Sequence, residues 1–381
     1  MTLVLKNISI YAANKITHSN GLLTGLKSHT LNLSLFSTQP SNNKDSFSYI
    51  IIGAGSAGCV LASRLSENLD NTVLVLEAGP KDLIFGCKRL SWKIHMPAAL
   101  MYNLCDDKFN WAYHTEPQKH MDNRVMYWPR GRVLGGSSSL NAMVYIRGHA
   151  EDYNRWSAQG ATGWDYAHCL PYFKKAQTHE LGPDDYRGGN GPLHVSRGKT
   201  NHSLHNTFIE AAKQAGYPFT EDMNGYQQEG VGWMDMTIYK GQRWSTASAY
   251  LRPAMSRPNV SVKEKTLVTK VLFQGLRATG VEYVQNGHKK KAFASKEVIL
   301  SGGAINSPQL LMLSGIGNAS ELTKLGIPVI AHLPGDGATS HLETGGFIRS
   351  APGVEHPDIQ FHFLPSQVID HGRVSPKIEA Y

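Results

Sequence analysis

The most continuous apolar pattern in the chain is a short run, Ser48-Tyr-Ile-Ile-Ile52, which ends in Gly53-Ala-Gly55-Ser-Ala-Gly58. An apolar run that ends in a glycine-rich turn predicts a short strand. A helix is expected next, over about Ala57 to Glu67, and a second run, Thr72-Val-Leu-Val-Leu76, predicts another strand that stops at Glu77. Alternation between apolar and polar positions returns at Thr266 to Phe273 and at Ala278 to Val284, two strands of a hairpin or meander. Glu297-Val-Ile-Leu300 then runs into Ser301-Gly-Gly-Ala-Ile-Asn306. There Ser307-Pro308 opens a predicted helix through Leu313, with proline in a first turn that needs no N–H. Two glycine-marked strand-to-helix junctions so far apart predict one α/β lobe assembled from distant segments.

The stretch between these junctions is less regular. From about Pro171 to Met255, loops such as Gly182-Pro-Asp-Asp and Arg187-Gly-Gly-Asn-Gly-Pro192 separate short patterns, as expected of a substrate-facing lobe. No internal repeat or low-complexity tract interrupts the chain, and no window approaches the roughly 18 consecutive apolar residues of a membrane-spanning helix. Any membrane association would be peripheral.

Composition sharpens this picture in three places. With 381 residues, 41% of them hydrophobic, the chain can bury a substantial core in two lobes. The formal charge is +8, but four of the lysines behind it, Lys6, Lys15, Lys27 and Lys44, lie in residues 1–44, a segment with no Asp or Glu. That segment reads as a mitochondrial targeting leader, although its lack of arginine before Arg64 is atypical, and a polar leader with no address is the alternative. The rest is mildly basic, and Lys289-Lys-Lys291 beside Asn286-Gly287 reads as a solvated hairpin turn, so no nucleic-acid partner is expected. Four cysteines, Cys59, Cys87, Cys105 and Cys169, have neither CxxC pairing nor metal-like spacing with histidine, which points to a reducing compartment.

The chemistry starts at Gly53 to Gly58. Gly53 permits a tight turn, Gly55 lets backbone approach a pyrophosphate, and Gly58 lets the following helix pack on the strand. The pyrophosphate would sit on the helix N-terminus, with Ser56 and Ala57 in its first turn. Glu77, 19 residues after Gly58, stands where a carboxylate accepts hydrogen bonds from a ribose diol. A glycine-rich turn without ligand is the alternative. A second loop, Pro129-Arg-Gly-Arg-Val-Leu-Gly135-Gly136-Ser137-Ser138-Ser139-Leu140-Asn141-Ala-Met-Val144, combines bare backbone at two glycines with hydroxyl and amide donors, and could cradle pyrophosphate and the edge of a flat ring. Read alone, it is equally a serine-rich loop.

Gly53 to Gly58, Gly131 to Tyr153 and Gly302 to Gly317 resemble the three hallmark segments of the glucose-methanol-choline oxidoreductases. Further likeness to the family's choline-oxidising members extends over Phe47 to Gly335, notably in Leu90 to Pro97, Arg147 to Tyr153 and Glu221 to Gly225. The resemblance implies a Rossmann-like FAD-binding domain built from discontinuous segments, and an α+β substrate-binding domain that is incomplete here. On that basis residues 1–44 are leader and linker, 45–170 and 256–335 the two parts of the FAD-binding domain, 171–255 the substrate-facing segment, and 336–381 part of the substrate-binding domain.

It also implies noncovalent FAD held by Gly53, Gly55, Ser56, Ala57 and Gly58, by Glu77 and Ala78, by Ser137, by Asn141, Ala142, Met143 and Val144, and by backbone near Val268. Some relatives bond flavin to a histidine just before the asparagine; Leu140 stands at that position and cannot form the bond. The implied reaction takes a proton from the hydroxyl of choline and a hydride from its α-carbon, giving betaine aldehyde. Electrons would pass to a membrane acceptor at the matrix side of the mitochondrial inner membrane. A histidine base suits the first step, and aromatic faces suit the trimethylammonium group. A nicotinamide dehydrogenase would explain the first motif but leaves the other two segments without a role.

Two departures matter. After His332-Leu-Pro-Gly335 the family continues Pro-Gly-x-Gly-x-Asn-Leu-x-Asp-His, whereas this chain passes through Asp336-Gly337 into Ala338 to Gly346. It stops at Tyr381, before the segment in which the family keeps its catalytic histidine. No catalytic residue is therefore assigned, and His332, His341, His356, His362 and His371 are read as surface or packing residues. Phe361-His-Phe-Leu-Pro365 is expected to be left uncovered. The alternative to a working enzyme is a non-catalytic FAD-binding fragment or splice variant.

Overall fold

In the computed structural model of this chain, the described residues are 3–5, 45–83, 90–104, 108–199, 202–333, 346–348 and 359–361. The apolar runs form the strands expected of them: β1 is Ser46–Ile52 and β2 is Val73–Leu76, joined through helix α1, Ser56–Leu65. The middle of the chain supplies β3 (Val144–Tyr145), α2 (Ala150–Ala158), α3 (Tyr166–Ala176), β4 (Gln177–His179), β5 (Leu193–Arg197), α4 (Ser203–Gln214) and β6 (Asp235–Met236). The chain then returns to the first lobe with β7 (Val260–Lys263), β8 (Thr266–Gln274), β9 (Arg277–Gln285), β10 (His288–Leu300) and helix α5, Gly303–Leu313.

The principal sheet runs β7-β2-β1-β10-β9-β8. Its first four strands are parallel, and β8, β9 and β10 form an antiparallel meander. Leu3–Leu5 adds antiparallel to Val298 to Leu300, and residues 6–44, which hold most of the expected leader, lie outside the described residues. Two-faced burial explains the unbroken apolar runs. Ile50, Ile52, Leu74, Leu76, Val298 and Leu300 point to one core, covered by the meander and Leu310 of α5. Their neighbours Ile51, Val73, Val75 and Ile299 point to the other, covered by Cys59 and Ala62 of α1 and by Ala247 to Leu251. Alternate side chains leave a strand in opposite directions, so a strand covered on both sides needs apolar residues at every position.

The β9–β10 turn is the expected one, with Asn286 at φ 51° and Gly287 at φ 78°. Lys289 to Lys291 follow it as exposed residues on β10. Two readings change. The helix after β10 begins at Gly303, so Pro308 lies in its interior instead of its first turn. Glycines, unlike proline, leave no sequence mark of which residue starts the helix. In addition, Ala247 to Leu251, inside the irregular stretch read as substrate-facing, packs on α1 as a turn of π-helix in the core of the nucleotide lobe. A smaller sheet, β3-β6-β5-β4, stands beside the main one. Helix α3 runs across position 170, and its proline, Pro171, sits inside it.

Candidate cofactor-binding site

Strands β1, β2 and β10 end together, because all three run parallel with Ile52 opposite Leu76 and Leu300. The turns leaving those ends are therefore stacked, which is where nucleotides bind in open parallel sheets. Gly53 has φ +96°, and a Cβ there would lie 2.5 Å from the Ser301 carbonyl oxygen, so only glycine fits. Gly55 precedes α1, whose N-terminus no side chain caps. A Cβ at Gly55 would meet nothing closer than 3.8 Å, so this side of the turn is open to a ligand. Exposed Ser56 and half-buried Ala57 follow in the first helical turn, whose N–H groups have no partners within the helix.

Glu77 emerges from β2 into this junction. Its Oε2 accepts from Ala54 N at 2.8 Å and its Oε1 from Gly79 N at 2.8 Å, which ties the first turn to the chain around Ala78. Burial pushes its carboxyl up to about 7, against the opposing pull of those two N–H groups and of Arg132. Each oxygen keeps a lone pair for a further donor, as a ribose hydroxyl would be. Thr266 N donates to Glu77 O at 2.8 Å, bringing the start of β8 and its Val268 alongside. Val268 itself packs partly against the first core.

The second glycine loop closes over the first. Gly135 N donates to Ala54 O at 2.7 Å, and a Cβ on Gly136 would lie 2.7 Å from Gly55 Cα. The paired glycines thus press against the neighbouring turn, where the sequence suggested contact with a flat ring. Beyond them, Ser137 and Asn141 are exposed while Ser139 and Leu140 are buried. Ser137 Oγ accepts from Gly131 N, which leaves its hydroxyl proton free to donate outward. Leu140 joins Ile94, Phe109 and Val133 in a separate apolar cluster. Met143 is buried at φ 66°, a strained conformation for a side-chain-bearing residue, and Thr237 N holds its carbonyl at 2.7 Å.

Ala142, Met143 and Val144 form one wall of a cavity of about 1080 Å³, whose other walls include β5, β6 and Phe208 of α4. Aromatic faces are present there at Trp233 and Tyr239, but the cavity's carboxylate, Glu180, is already paired with Lys199 at 2.6 Å. Cys59 behaves as a buried apolar group: its thiol donates to Ala54 O, and burial pushes its pKa up to about 12. His332 accepts from Ala319 N, while His341, His356, His362 and His371 lie outside the described residues, as do the side chains of Phe361 to Pro365. No cluster of three metal-ligating side chains occurs among the described residues.

The residues present fit a dinucleotide cofactor. An uncapped helix N-terminus, an open face at Gly55, a buried acceptor at Glu77 and a Ser301 hydroxyl left without a partner converge on one junction. One contributor carried no sequence signal. The segment Arg243 to Thr246 backs the second loop: Thr246 N donates to Ser138 Oγ, and the two hydroxyls lie 2.9 Å apart. Only the fold brings them together across more than a hundred residues.

Fold and site define a dinucleotide-binding α/β architecture, and the chain belongs to the GMC oxidoreductase family, whose model matches residues 47–338. That match ends where the sequence departs from the family pattern. The chain is 65% identical to the mitochondrial choline dehydrogenase of Mus musculus and 64% identical to that of Homo sapiens, in each case over 90% of this chain and 65% of the relative. It therefore spans about 65% of the length of these curated relatives. Among solved structures, pyridoxine 4-oxidase from Mesorbium loti superposes with a TM-score of 0.71 at 34% identity, covering 76% of this chain and 55% of that one. A formate oxidase does so at 0.69 and 30%, covering 76% and 51%.

Proposed function

We propose that this chain binds FAD noncovalently in the cradle of Gly53, Glu77 and the Gly131 to Val144 loop, and that it serves the oxidation of choline to betaine aldehyde. The observation that carries the cofactor assignment is the meeting of two glycine turns with a buried carboxylate at the ends of parallel strands. The substrate assignment is supported by the names of the relatives at 65% and 64% identity. FAD when bound supplies the acceptor for the hydride that leaves the alcohol carbon.

The chain's own residues bind and orient. The N-terminus of α1 would hold pyrophosphate through its free N–H groups, and Glu77 would accept from a ribose hydroxyl. Ser137 and Asn141 would donate from the exposed side of their loop. Leu140, packed among Ile94, Phe109 and Val133, offers no nucleophile, which supports a dissociable cofactor. The relatives' mitochondrial names support a mitochondrial location; a place at the matrix side of the inner membrane, with electrons passing to a membrane acceptor, belongs to the same proposal. No helix among the described residues is long and apolar enough to cross a membrane.

The test is to purify the chain, record the visible flavin absorbance, and add choline without oxygen. Bleaching of the flavin band supports turnover by this polypeptide. Bound flavin that stays oxidised limits the chain to cofactor binding, and a folded but colourless protein sinks the FAD assignment.

A further inference from the structure

Arg243 is the largest fully buried side chain among the described residues, at 1% exposure. Three partly buried arginines have carboxylates: Arg197 pairs with Asp235, Arg187 with Asp184 and Asp222, and Arg252 with Asp82. Arg243, like buried Arg147, which donates to Tyr145 Oη, Tyr186 O and Gln177 Oε1, has neutral acceptors instead. Its Nε donates to Ile94 O at 2.8 Å, and its Nη1 to Asn141 O at 2.6 Å, to Asn141 Oδ1 at 3.0 Å and to Ser138 O at 3.3 Å. Nη2 is buried with no partner. Burial alone pulls its pKa down to about 10, so it remains a cation at neutral pH. A buried charge without a counter-charge is costly, and packing alone would be served better by an apolar side chain.

What this cation achieves is visible at Asn141. The amide oxygen accepts from Arg243 Nη1 and from Met143 N at 3.0 Å, so both lone pairs are used. The orientation of the amide is thereby set, and the exposed end of Asn141 is its nitrogen, with two N–H donors. The backbone carbonyl of the same residue is held by the same guanidinium, so side chain and loop are locked as one unit. We propose that Arg243 is a positioning residue: it turns Asn141 into an obligate hydrogen-bond donor toward the bound cofactor, and so favours the more electron-rich, reduced form of the flavin. This rests on the proposed binding of FAD at that loop. Lysine could not replace it, because a single ammonium cannot span Ile94, Ser138 and Asn141 in a fixed plane.

The test uses the full chain loaded with FAD, as wild type, Asn141→Ala, Arg243→Lys and the double variant, and reads FAD affinity and the midpoint potential of the bound flavin. Each single substitution is expected to lower the potential by about 30 mV, which is tenfold for a two-electron couple. The double variant should fall no further than Asn141→Ala, since both residues act through one amide. Asn141→Asp, a surface change that leaves Arg243 in place and replaces the donor by an acceptor, should lower the potential more than Asn141→Ala. Additive losses in the double variant, or an Asn141→Asp potential at or above that of Asn141→Ala, overturn the positioning role while leaving FAD binding intact. Failure of the wild-type chain to bind FAD overturns the reading beneath it.

Discussion

The β1–α1 turn and the Gly131 to Val144 loop face the same site, yet they are held in opposite ways. The turn is anchored by strands β1 and β2, whose apolar residues Ile50 to Ile52 and Val73 to Leu76 are all buried, with Ile51 fully enclosed against α1. The loop contains no regular element longer than the single 3-10 turn Gly136–Ser139, and is fixed by polar contacts to Arg243 and Thr246 as well as by the buried side chains of Val133, Leu134 and Leu140. The first region draws its position from continuous apolar burial along strands, the second from directional bonds added to a small apolar cluster. Changes in the first should cost stability, and changes at the polar positions of the second should cost cofactor affinity at nearly constant stability.

The largest effect should come from Gly58→Ala, because the added Cβ would lie 1.9 Å from the Gly53 carbonyl oxygen. Neither backbone can yield, so a loss of about 4 kcal/mol or an insoluble product is expected, read by chemical denaturation and flavin content. Ile51→Ala comes next. It opens a cavity in a close-packed core at a cost of about 3 kcal/mol, again measured by denaturation. If these two variants kept normal stability and lost only flavin, the contrast between the regions would fail.

Glu77→Gln links the regions through pH. The folded carboxyl, at about 7, lies above its ordinary value of 4.5. Between those values the folded chain holds more protons than the unfolded chain, so the residue's contribution to stability is full below pH 4.5 and is lost as pH rises through 7. Denaturation midpoints of the FAD-free chain should therefore fall across that window, and Glu77→Gln should flatten the trend. Affinity for FAD should move the other way, rising with pH as the carboxylate forms to accept the ribose hydroxyls. A pH-independent FAD affinity in the wild type would remove Glu77 from the ribose site.

The smallest effect is expected at Gly287→Ala in the β9–β10 turn. Its φ of +78° disfavours alanine, but a Cβ there meets nothing within 4 Å. About 1 kcal/mol of backbone strain is expected, with no change in flavin binding. Comparison with Gly58→Ala separates the cost of conformation from that of collision.

Much of this site was legible before any coordinates. The apolar runs placed β1, β2, β8 and β9 within a residue or two, whereas β10 starts at His288, well before the expected Glu297, and glycine spacing with Glu77 pointed to the first half of the cradle. The second loop was legible as a resemblance, but its glycines turned out to meet Gly55 and Ala54. The start of α5 and the place of Pro308 differ from the expectation, because a helix that opens on two poor helix formers, Gly302 and Gly303, carries no propensity signal at its start, and proline suggested a later first turn.

What the order of residues settled were properties a strand or turn carries locally: the short apolar strands, the tight turn at Gly53, the hairpin at Asn286-Gly287, and membership of a family with long hallmark segments. What the tertiary structure alone decided were meetings between segments distant in sequence: Ala247 to Leu251 against α1, Gly136 against Gly55, and Arg243 behind Asn141. Periodicity records how a residue relates to its own strand or helix. It carries no record of which polar group a buried guanidinium will find 102 positions away, because that pairing depends on where the folded sheet brings the two backbones.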